Sequence, residues 1–128
     1  MTLLDASIII DGLRAKDVQL MGQMNAASGA VCGVTRAEVL SGARGANDRA
    51  KLLTILDGFQ QVGIPESMWD SVGDLQAKLR AGGVTVPFAD AALAVIALSL
   101  DAEIWARDTD FTNMQRIVPA LKLYREDA

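Results

Sequence analysis

Four acidic side chains stand at positions where an acid is costly. Asp5 ends an apolar segment, Asp108 directly follows another, and Asp90 is the only charge in the stretch 86–100. Glu38 lies one helical turn beyond a third apolar segment. A carboxylate that leaves water must be paired, hydrogen-bonded or metal-bound. Several such carboxylates brought together would form an oxygen-ligand site suited to Mg²⁺ or Mn²⁺.

Each of these acids also has an ordinary structural explanation. Asp5 can cap a following helix, Asp90 can interact with a helix dipole, and Asp108 can be a turn residue. Glu38 can complete a helix-capping box with Thr35, three residues before it. Their comparable positions next to predicted strand ends favour a shared site over four separate roles.

The composition excludes several kinds of catalytic site. The sequence contains no histidine and a single cysteine, Cys32. Histidine-based acid/base catalysis, Ser-His-Asp and Cys-His sites, histidine-ligated zinc and an internal disulfide are therefore ruled out. The apolar neighbours of Cys32 predict a buried, inert thiol. The net charge is -4, so any nucleic-acid role needs another source of positive charge.

The element pattern places these acids in an alternation of strands and helices. Apolar segments at 30–34, 103–106 and 122–124 predict strands, and 62–64 is a further short apolar segment. Helices are predicted after Thr35, from Asp48, from Pro65 and from Pro87 to Leu100. Residues 3–10 have two interpretations. They could form one buried strand, or a strand that ends at Asp5 and is followed by a helix from about Ala6. The apolar pattern does not separate them.

This alternation predicts an α/β fold with a mainly parallel sheet, and the length predicts a single domain over 1–128. Ligands of such sheets gather at the carboxyl ends of the strands. Asp5, Glu38 and Asp108 would reach that edge, and Asp90 could join them from the start of its helix. The longest apolar stretch, 91–100, is too short to span a bilayer, and the N-terminus lacks the basic opening of a signal peptide. We therefore expect a soluble, cytoplasmic protein.

Four segments, in this order and spacing, resemble the PIN-domain ribonucleases, in particular the VapC-type toxins of prokaryotic toxin–antitoxin pairs. They are LDASIII at 4–10, VTRAEVLSG at 34–42, DAALA at 90–94 and ARDTDF at 106–111. The resemblance covers almost the whole chain. It implies a PIN-like three-layer fold in which a mainly parallel central sheet is flanked by helices. It also implies a strand that ends near Asp5 and a helix through the isoleucines.

The resemblance further implies a metal-dependent endoribonuclease that hydrolyses RNA phosphodiester bonds and leaves a 5′-phosphate and a 3′-hydroxyl. The family's four acidic positions fall on Asp5, Glu38, Asp90 and Asp108, with Asp110 as an auxiliary ligand candidate. Asp5, Asp90 and Asp108 are the first choices as ligands of Mg²⁺ or Mn²⁺. Glu38 would bind a second ion, or orient or deprotonate the attacking water. A homodimer and a cognate antitoxin that covers the site are also implied.

Around these acids, three residues are candidates for contacting RNA. Ser7 keeps a hydroxyl that is frequent two residues after the first aspartate, and Arg36 and Arg107 lie beside the proposed ligands. Ala106 departs from the family, in which many members have Thr or Ser and so a hydroxyl near the metal. Further basic residues could extend a rim for phosphates but are more simply solvated charges, and they are Arg14, Lys16, Arg44, Arg49 and Lys51.

Two other functions compete with the nuclease. A non-catalytic PIN-like binding module is favoured only by Ala106, and retention of all four acids counts against it. A phospho-receiver domain would need a phosphoacceptor aspartate at a strand end, and its only candidate, Asp57, falls in a helical pattern. The two tryptophans, Trp69 and Trp105, are predicted to pack in the core rather than to stack on bases.

Overall fold

In the computed structural model, which describes residues 1–126, five parallel strands form a sheet in the order β3-β2-β1-β4-β5. The strands are β1 (Thr2–Leu4), β2 (Gly29–Cys32), β3 (Gln60–Val62), β4 (Glu103–Trp105) and β5 (Lys122–Leu123). The helices are α1 (Ala6–Arg14), α2 (Val18–Ala26), α3 (Gly33–Ser41), α4 (Ala46–Asp57), α5 (Met68–Ala81), α6 (Phe88–Leu100) and α7 (Asp110–Gln115). The predicted α/β fold is confirmed. Positions 127 and 128 of the predicted domain lie outside the described residues.

The alternation of side chains along each strand creates two hydrophobic cores, one on each face of the sheet. Leu3 and Ile104 face the core that contains α5, α6 and α7. Their neighbours Leu4 and Trp105 face the opposite core, which contains the buried residues of α1, α2 and α4. The sheet is thus covered on both sides, which gives the three layers predicted from the resemblance.

The first strand ends immediately before Asp5, and this settles the ambiguity of the N-terminal segment. The Asp5 carboxylate accepts a hydrogen bond from the Ser7 backbone N–H at 3.1 Å and so caps α1. Ile8 and Ile9, which favour strands by propensity, are fully buried on this helix. Their burial outweighs their local preference. The segment is a strand followed by a helix, as the resemblance implied.

Several predicted helix starts are wrong by a few residues. α3 begins at Gly33, so Thr35 lies inside the helix and forms no capping box with Glu38. α4 begins at Ala46 after Gly45, and Asp48 lies in its first turn instead of capping it. The helix predicted from Pro65 begins at Met68.

Two helices were not predicted. α2 is capped by Asp17, which accepts a hydrogen bond from the Leu20 N–H at 2.9 Å. α7 follows the last acidic segment and spans only six residues. Within residues 1–126, no helix has both the length and the apolar character needed to cross a membrane.

Candidate metal centre

Three aspartates meet at the carboxyl edge of the sheet. Asp5 follows β1, Asp108 lies three residues beyond the adjacent strand β4, and Asp90 lies in the first turn of α6. One carboxylate oxygen from each of them lies within 4.8 Å of the other two. The parallel pairing of β1 with β4 explains why residues 103 positions apart in the sequence become neighbours. The predicted convergence of these three acids is therefore present.

Burial makes this cluster electrostatically costly. Asp5 is only 5% exposed and Asp90 only 7%. The pKa of Asp90 is raised from 3.8 to about 8, first by burial, then by a hydrogen bond with Asp110 and by the negative charges of Asp108 and Asp5. Without a bound cation, Asp90 is thus mostly protonated at neutral pH, and its carboxylic acid forms a hydrogen bond with Asp110.

The pKa values of Asp108 and Glu38 are raised by similar causes. Burial, followed by the charge of Asp5, raises the pKa of Asp108. Burial also raises the pKa of Glu38, and the charges of Asp5 and Asp108 add to that increase. Glu38 does not belong to the three-oxygen cluster, and its residue is exposed to solvent on α3. It therefore faces the cluster from the solvent side.

The donor set fits a hard divalent cation. All three candidate ligands supply carboxylate oxygens, the ligand type that Mg²⁺ and Mn²⁺ favour. Two ligands of an octahedral Mg²⁺ are about 2.9 Å apart when adjacent and about 4.2 Å apart when opposite, so three oxygens within 4.8 Å of one another would have to move closer together to bind one ion. A cation would also remove the repulsion that raises the pKa values of these acids.

The family follows from a comparison with known sequences. The profile of the PIN domain matches residues 2–117, which is most of the chain. The chain belongs to the PIN domain family. This confirms the family predicted from the four sequence segments. PIN domains are nucleases, and the acidic cluster of this PIN domain lies where its fold brings the strand ends together. No curated protein matches this chain significantly in sequence.

Solved structures with the same fold include several VapBC complexes. The chain is similar to VapBC-1 from nontypeable Haemophilus influenzae, with a TM-score of 0.79, 18% identity and coverage of 99% of this chain and 98% of the other. It is similar to VapBC2 from Rickettsia felis, with a TM-score of 0.77, 16% identity and coverage of 96% of each chain. The third, VapBC-5 from Mycobacterium tuberculosis, has a TM-score of 0.66, 21% identity and coverage of 97% of each chain. This PIN domain therefore has the fold of those chains over nearly its full length.

Ser7 holds the first aspartate of this PIN domain in place. Its hydroxyl donates a hydrogen bond to Asp5 Oδ2 and accepts one from the Arg107 backbone N–H at 2.9 Å. Ser7 was predicted to contact substrate, whereas here its hydroxyl is engaged with protein groups. Ala106, one residue before Arg107, has a methyl group and therefore supplies no hydroxyl at this position. The backbone N–H of residue 107 and Ser7 together link β4 to Asp5.

The two arginines predicted to bind phosphate both form ion pairs with protein carboxylates. Arg36 lies 2.9 Å from Asp57 Oδ1 and donates a hydrogen bond to Gln61 at 3.1 Å. Arg107 contacts Glu126 through two nitrogens, at 2.6 and 3.2 Å, and lies 3.5 Å from Asp11. The hydrogen bond from Arg107 lowers the pKa of Glu126. RNA phosphates would have to compete with these carboxylates.

Three supporting residues escaped sequence reasoning. Thr35 is buried and its hydroxyl donates to the Leu4 carbonyl at 2.9 Å, which ties α3 to the end of β1. Asp11 and Glu126 bind Arg107. A threonine next to a predicted strand end was a visible signal, although it was assigned to a capping box. Nothing in the sequence pairs Glu126 with Arg107, because the contact depends on where the chain passes after β5.

The remaining predictions concern residues away from the cluster. Trp105 is buried and stacks on Tyr124 with a centroid separation of 4.1 Å, and Cys32 is buried, so both core predictions are confirmed. Trp69 is half-buried and stacks on Phe88 at 6.1 Å. Asp57 ends α4 and is paired with Arg36. It lacks the strand-end position that a phosphoacceptor aspartate requires.

Proposed function

We propose that this PIN domain is a metal-dependent endoribonuclease that acts as the toxin of a toxin–antitoxin pair. The observation that carries the proposal is the cluster of three aspartate oxygens within 4.8 Å, two of whose residues are almost fully buried. A protein has no structural need for such a cluster, because like charges in a buried site oppose folding. A divalent cation and a phosphodiester substrate give the cluster a function.

In this proposal Asp5, Asp90 and Asp108 hold Mg²⁺ or Mn²⁺. Such a cation would supply positive charge to offset that of the scissile phosphate and to activate a water for attack. Glu38, exposed beside the cluster and with a raised pKa, accepts the proton of the attacking water or orients that water. Asp110 supports Asp90 through their hydrogen bond. Ser7 fixes the orientation of the Asp5 carboxylate, which would hold the ion.

The decisive experiment is a cleavage assay on total cellular RNA with the purified, antitoxin-free chain in Mg²⁺ or Mn²⁺. Asp90→Asn removes one ligand, and Asp74→Asn changes an exposed acid on α5 and serves as the matched control. We expect cleavage by the wild type and by Asp74→Asn, and no cleavage by a folded Asp90→Asn variant or in EDTA. Cleavage that continues in EDTA would refute the metal-dependent mechanism.

A non-catalytic binding module is the second candidate, and Ala106 is the observation that favours it. Its methyl group supplies no hydrogen bond next to the carboxylates. The two proposals differ in the response to metal and RNA together. A folded wild type that binds Mn²⁺ but leaves RNA intact would support the module, and Ala106→Thr would then be tested for restored cleavage.

For the antitoxin, a groove on the side of α1, α3 and α4 offers suitable chemistry. It has a volume of about 520 Å³ and an apolar floor that includes Ile10, Val39 and Leu52. Four of its lining residues are cations and one is an acid, namely Arg14, Lys16, Arg44, Lys51 and Asp48. One solved structure with this fold is described as a toxin–antitoxin complex from Klebsiella pneumoniae, and VapBC-5 is described as a member of a family of toxin–antitoxin systems. We propose that an antitoxin segment with apolar residues and acidic flanks binds this groove.

Co-expression of the chain with its antitoxin tests this assignment. Lys51→Glu reverses a charge in the groove, whereas Lys78→Glu reverses an exposed charge on α5. We expect about tenfold weaker antitoxin binding by Lys51→Glu and unchanged binding by Lys78→Glu. If Lys51→Glu weakens RNA binding and leaves antitoxin binding intact, the groove belongs to the substrate. The homodimer remains a prediction from the resemblance, and the cytoplasmic location remains a prediction from the sequence.

A further inference from the structure

A second cavity adjoins the carboxylate cluster and has no role in the chemistry described so far. It has a volume of about 570 Å³ and lies between α7 and the β4–β5 edge of the sheet. Asp108 lines the cavity and also belongs to the three-oxygen cluster. A ligand bound here would therefore lie next to the proposed cation. The volume falls within the range of small-molecule sites, which is about 300–1,000 Å³.

The lining combines two cations, Lys122 and Arg125, two acids, Glu103 and Asp108, uncharged polar groups and an apolar floor. Ile104, Phe111 and Leu123 supply apolar surface, and Thr112 and Gln115 project from α7. The Gln115 amide donates to the Leu121 carbonyl at 2.7 Å, which fixes the amide and leaves its oxygen as an acceptor for a ligand. A flat group with hydrogen-bonding edges, such as a nucleobase, matches this combination.

Arg125 supplies the positive charge that the cluster itself lacks. The cations in ion pairs among residues 1–126 are Arg36, Arg107 and Lys122. Arg125 lines the cavity and is exposed, so a phosphate can reach its guanidinium without displacing a carboxylate of the described chain. A phosphate at Arg125 would share this cavity with Asp108, which is also a member of the cluster. Ala106 also lines this cavity, and its small side chain leaves room beside Asp108.

We infer that this cavity binds one ribonucleotide of the substrate next to the scissile phosphate, with Arg125 on its phosphate and Thr112 and Gln115 on its base or sugar. The inference rests on the proposed nuclease function, because it assigns a substrate position relative to the metal. It makes Thr112 and Gln115 determinants of which nucleotide stands beside the cleaved bond. These two residues are specificity-determining; they do not take part in the chemical step.

Binding of the four ribonucleoside 5′-monophosphates, one at a time, tests the inference without requiring cleavage. Amide chemical-shift changes in ¹⁵N-labelled protein with Mg²⁺, at up to about 10 mM nucleotide, report both affinity and location. We compare wild type with Arg125→Ala and Thr112→Val, and with Arg116→Ala, which removes an exposed arginine outside the cavity. All three positions are exposed, so these variants should fold.

We expect at least one nucleotide to shift the resonances of residues 112, 115 and 125. Arg125→Ala should weaken its binding about tenfold, Thr112→Val should change the preference among the four bases, and Arg116→Ala should have no effect. Shifts confined to other residues, no binding of any nucleotide, or equal loss in Arg125→Ala and Arg116→Ala would overturn the inference. If metal-dependent RNA cleavage is observed alongside such a result, the nuclease proposal stands and the subsite is wrong. Nucleotide binding in the cavity without any RNA cleavage would mean that the cavity binds nucleotides and that the nuclease proposal is wrong.

Discussion

The Ser7 hydroxyl donates a hydrogen bond to Oδ2 of Asp5, and so fixes the orientation of the most buried acid in the cluster. The same hydroxyl accepts the Arg107 backbone N–H at 2.9 Å, which anchors the pair to the end of β4. Both bonds from Ser7 go to Oδ2, so they leave the other oxygen, Oδ1, available to a cation. Because Ala106 supplies no hydroxyl, Ser7 is the hydroxyl that we expect to support the metal site.

Ser7→Ala should therefore weaken Mn²⁺ binding about tenfold or more, the usual effect of removing a hydrogen bond behind a metal ligand. The measurement is the midpoint of thermal stabilisation in a Mn²⁺ titration. Ser99→Ala is the matched control, because the Ser99 hydroxyl donates to the Ile96 carbonyl on α6, remote from the cluster. Equal Mn²⁺ affinities for wild type and Ser7→Ala would show that Asp5 needs no such support.

The raised pKa of Asp90 predicts how the stability of the metal-free protein depends on pH. In the folded protein Asp90 has a pKa of about 8, whereas the ordinary pKa of an aspartate is 3.8. Between these values the folded state keeps a proton that the unfolded state releases, so the free energy of unfolding falls as the pH rises. Asp90→Asn has no proton to release, and it should be more stable than wild type at pH 8 by about 1–3 kcal/mol.

Urea denaturation in EDTA at pH 5, 6, 7 and 8 measures this difference. Asp108 and Glu38 also have raised pKa values, so they too lower the free energy of unfolding as the pH rises. The quantity to follow is therefore the difference in unfolding free energy between Asp90→Asn and wild type. This difference in unfolding free energy should increase from pH 5 to pH 8. With saturating Mn²⁺ the wild type should become the more stable protein, since only wild type retains all three ligands. Parallel stability curves for the two proteins would contradict the assigned pKa of Asp90.

The hydrogen bond from Thr35 to the end of β1 predicts a loss of stability when the Thr35 hydroxyl is removed. Its buried hydroxyl donates to the Leu4 carbonyl at 2.9 Å, one residue before Asp5. Thr35→Val keeps the shape of the side chain but leaves that carbonyl without this donor, and should cost about 1–3 kcal/mol of stability. Thr54→Val is the control, because the Thr54 hydroxyl donates within an exposed part of α4. Equal losses in urea denaturation would show that the Thr35 bond has no special importance.

The sequence predicted the layers and the acidic cluster because both depend on strong, local patterns. The apolar run before Asp108 marks one strand end, the resemblance implied another near Asp5, and parallel strands bring such ends to one edge. Helix starts were less predictable, because Thr35 and Asp48 carry capping side chains while the helices begin earlier, at Gly33 and Ala46. Backbone geometry and packing decide these starts, and a capping residue type only permits them.

The partners of the arginines could not be predicted for a different reason. Arg36 binds Asp57, which is 21 positions away, and Arg107 binds Asp11, which is 96 positions away. Exposed ion pairs leave no trace in hydrophobic periodicity, and each contributes little energy. The sequence predicts that both arginines lie beside the proposed ligands, but only the structure shows that carboxylates already bind their guanidinium groups.

The contact between Arg107 and Glu126 leads to a last prediction. Glu126 holds the guanidinium through two hydrogen bonds, so any RNA phosphate that uses Arg107 must first displace this carboxylate. Glu126→Gln weakens that competition, and we expect RNA binding to tighten about threefold at low salt while stability changes by less than about 1 kcal/mol. Glu66→Gln changes an exposed loop acid and controls for the change in net charge.

The measurement is the dissociation constant of a fluorescent single-stranded RNA. All proteins compared carry Asp90→Asn, which prevents cleavage during the titration. Tightening of the same size in Glu66→Gln would reduce the effect to net charge, and no tightening would mean that Arg107 stays on its carboxylates when RNA binds.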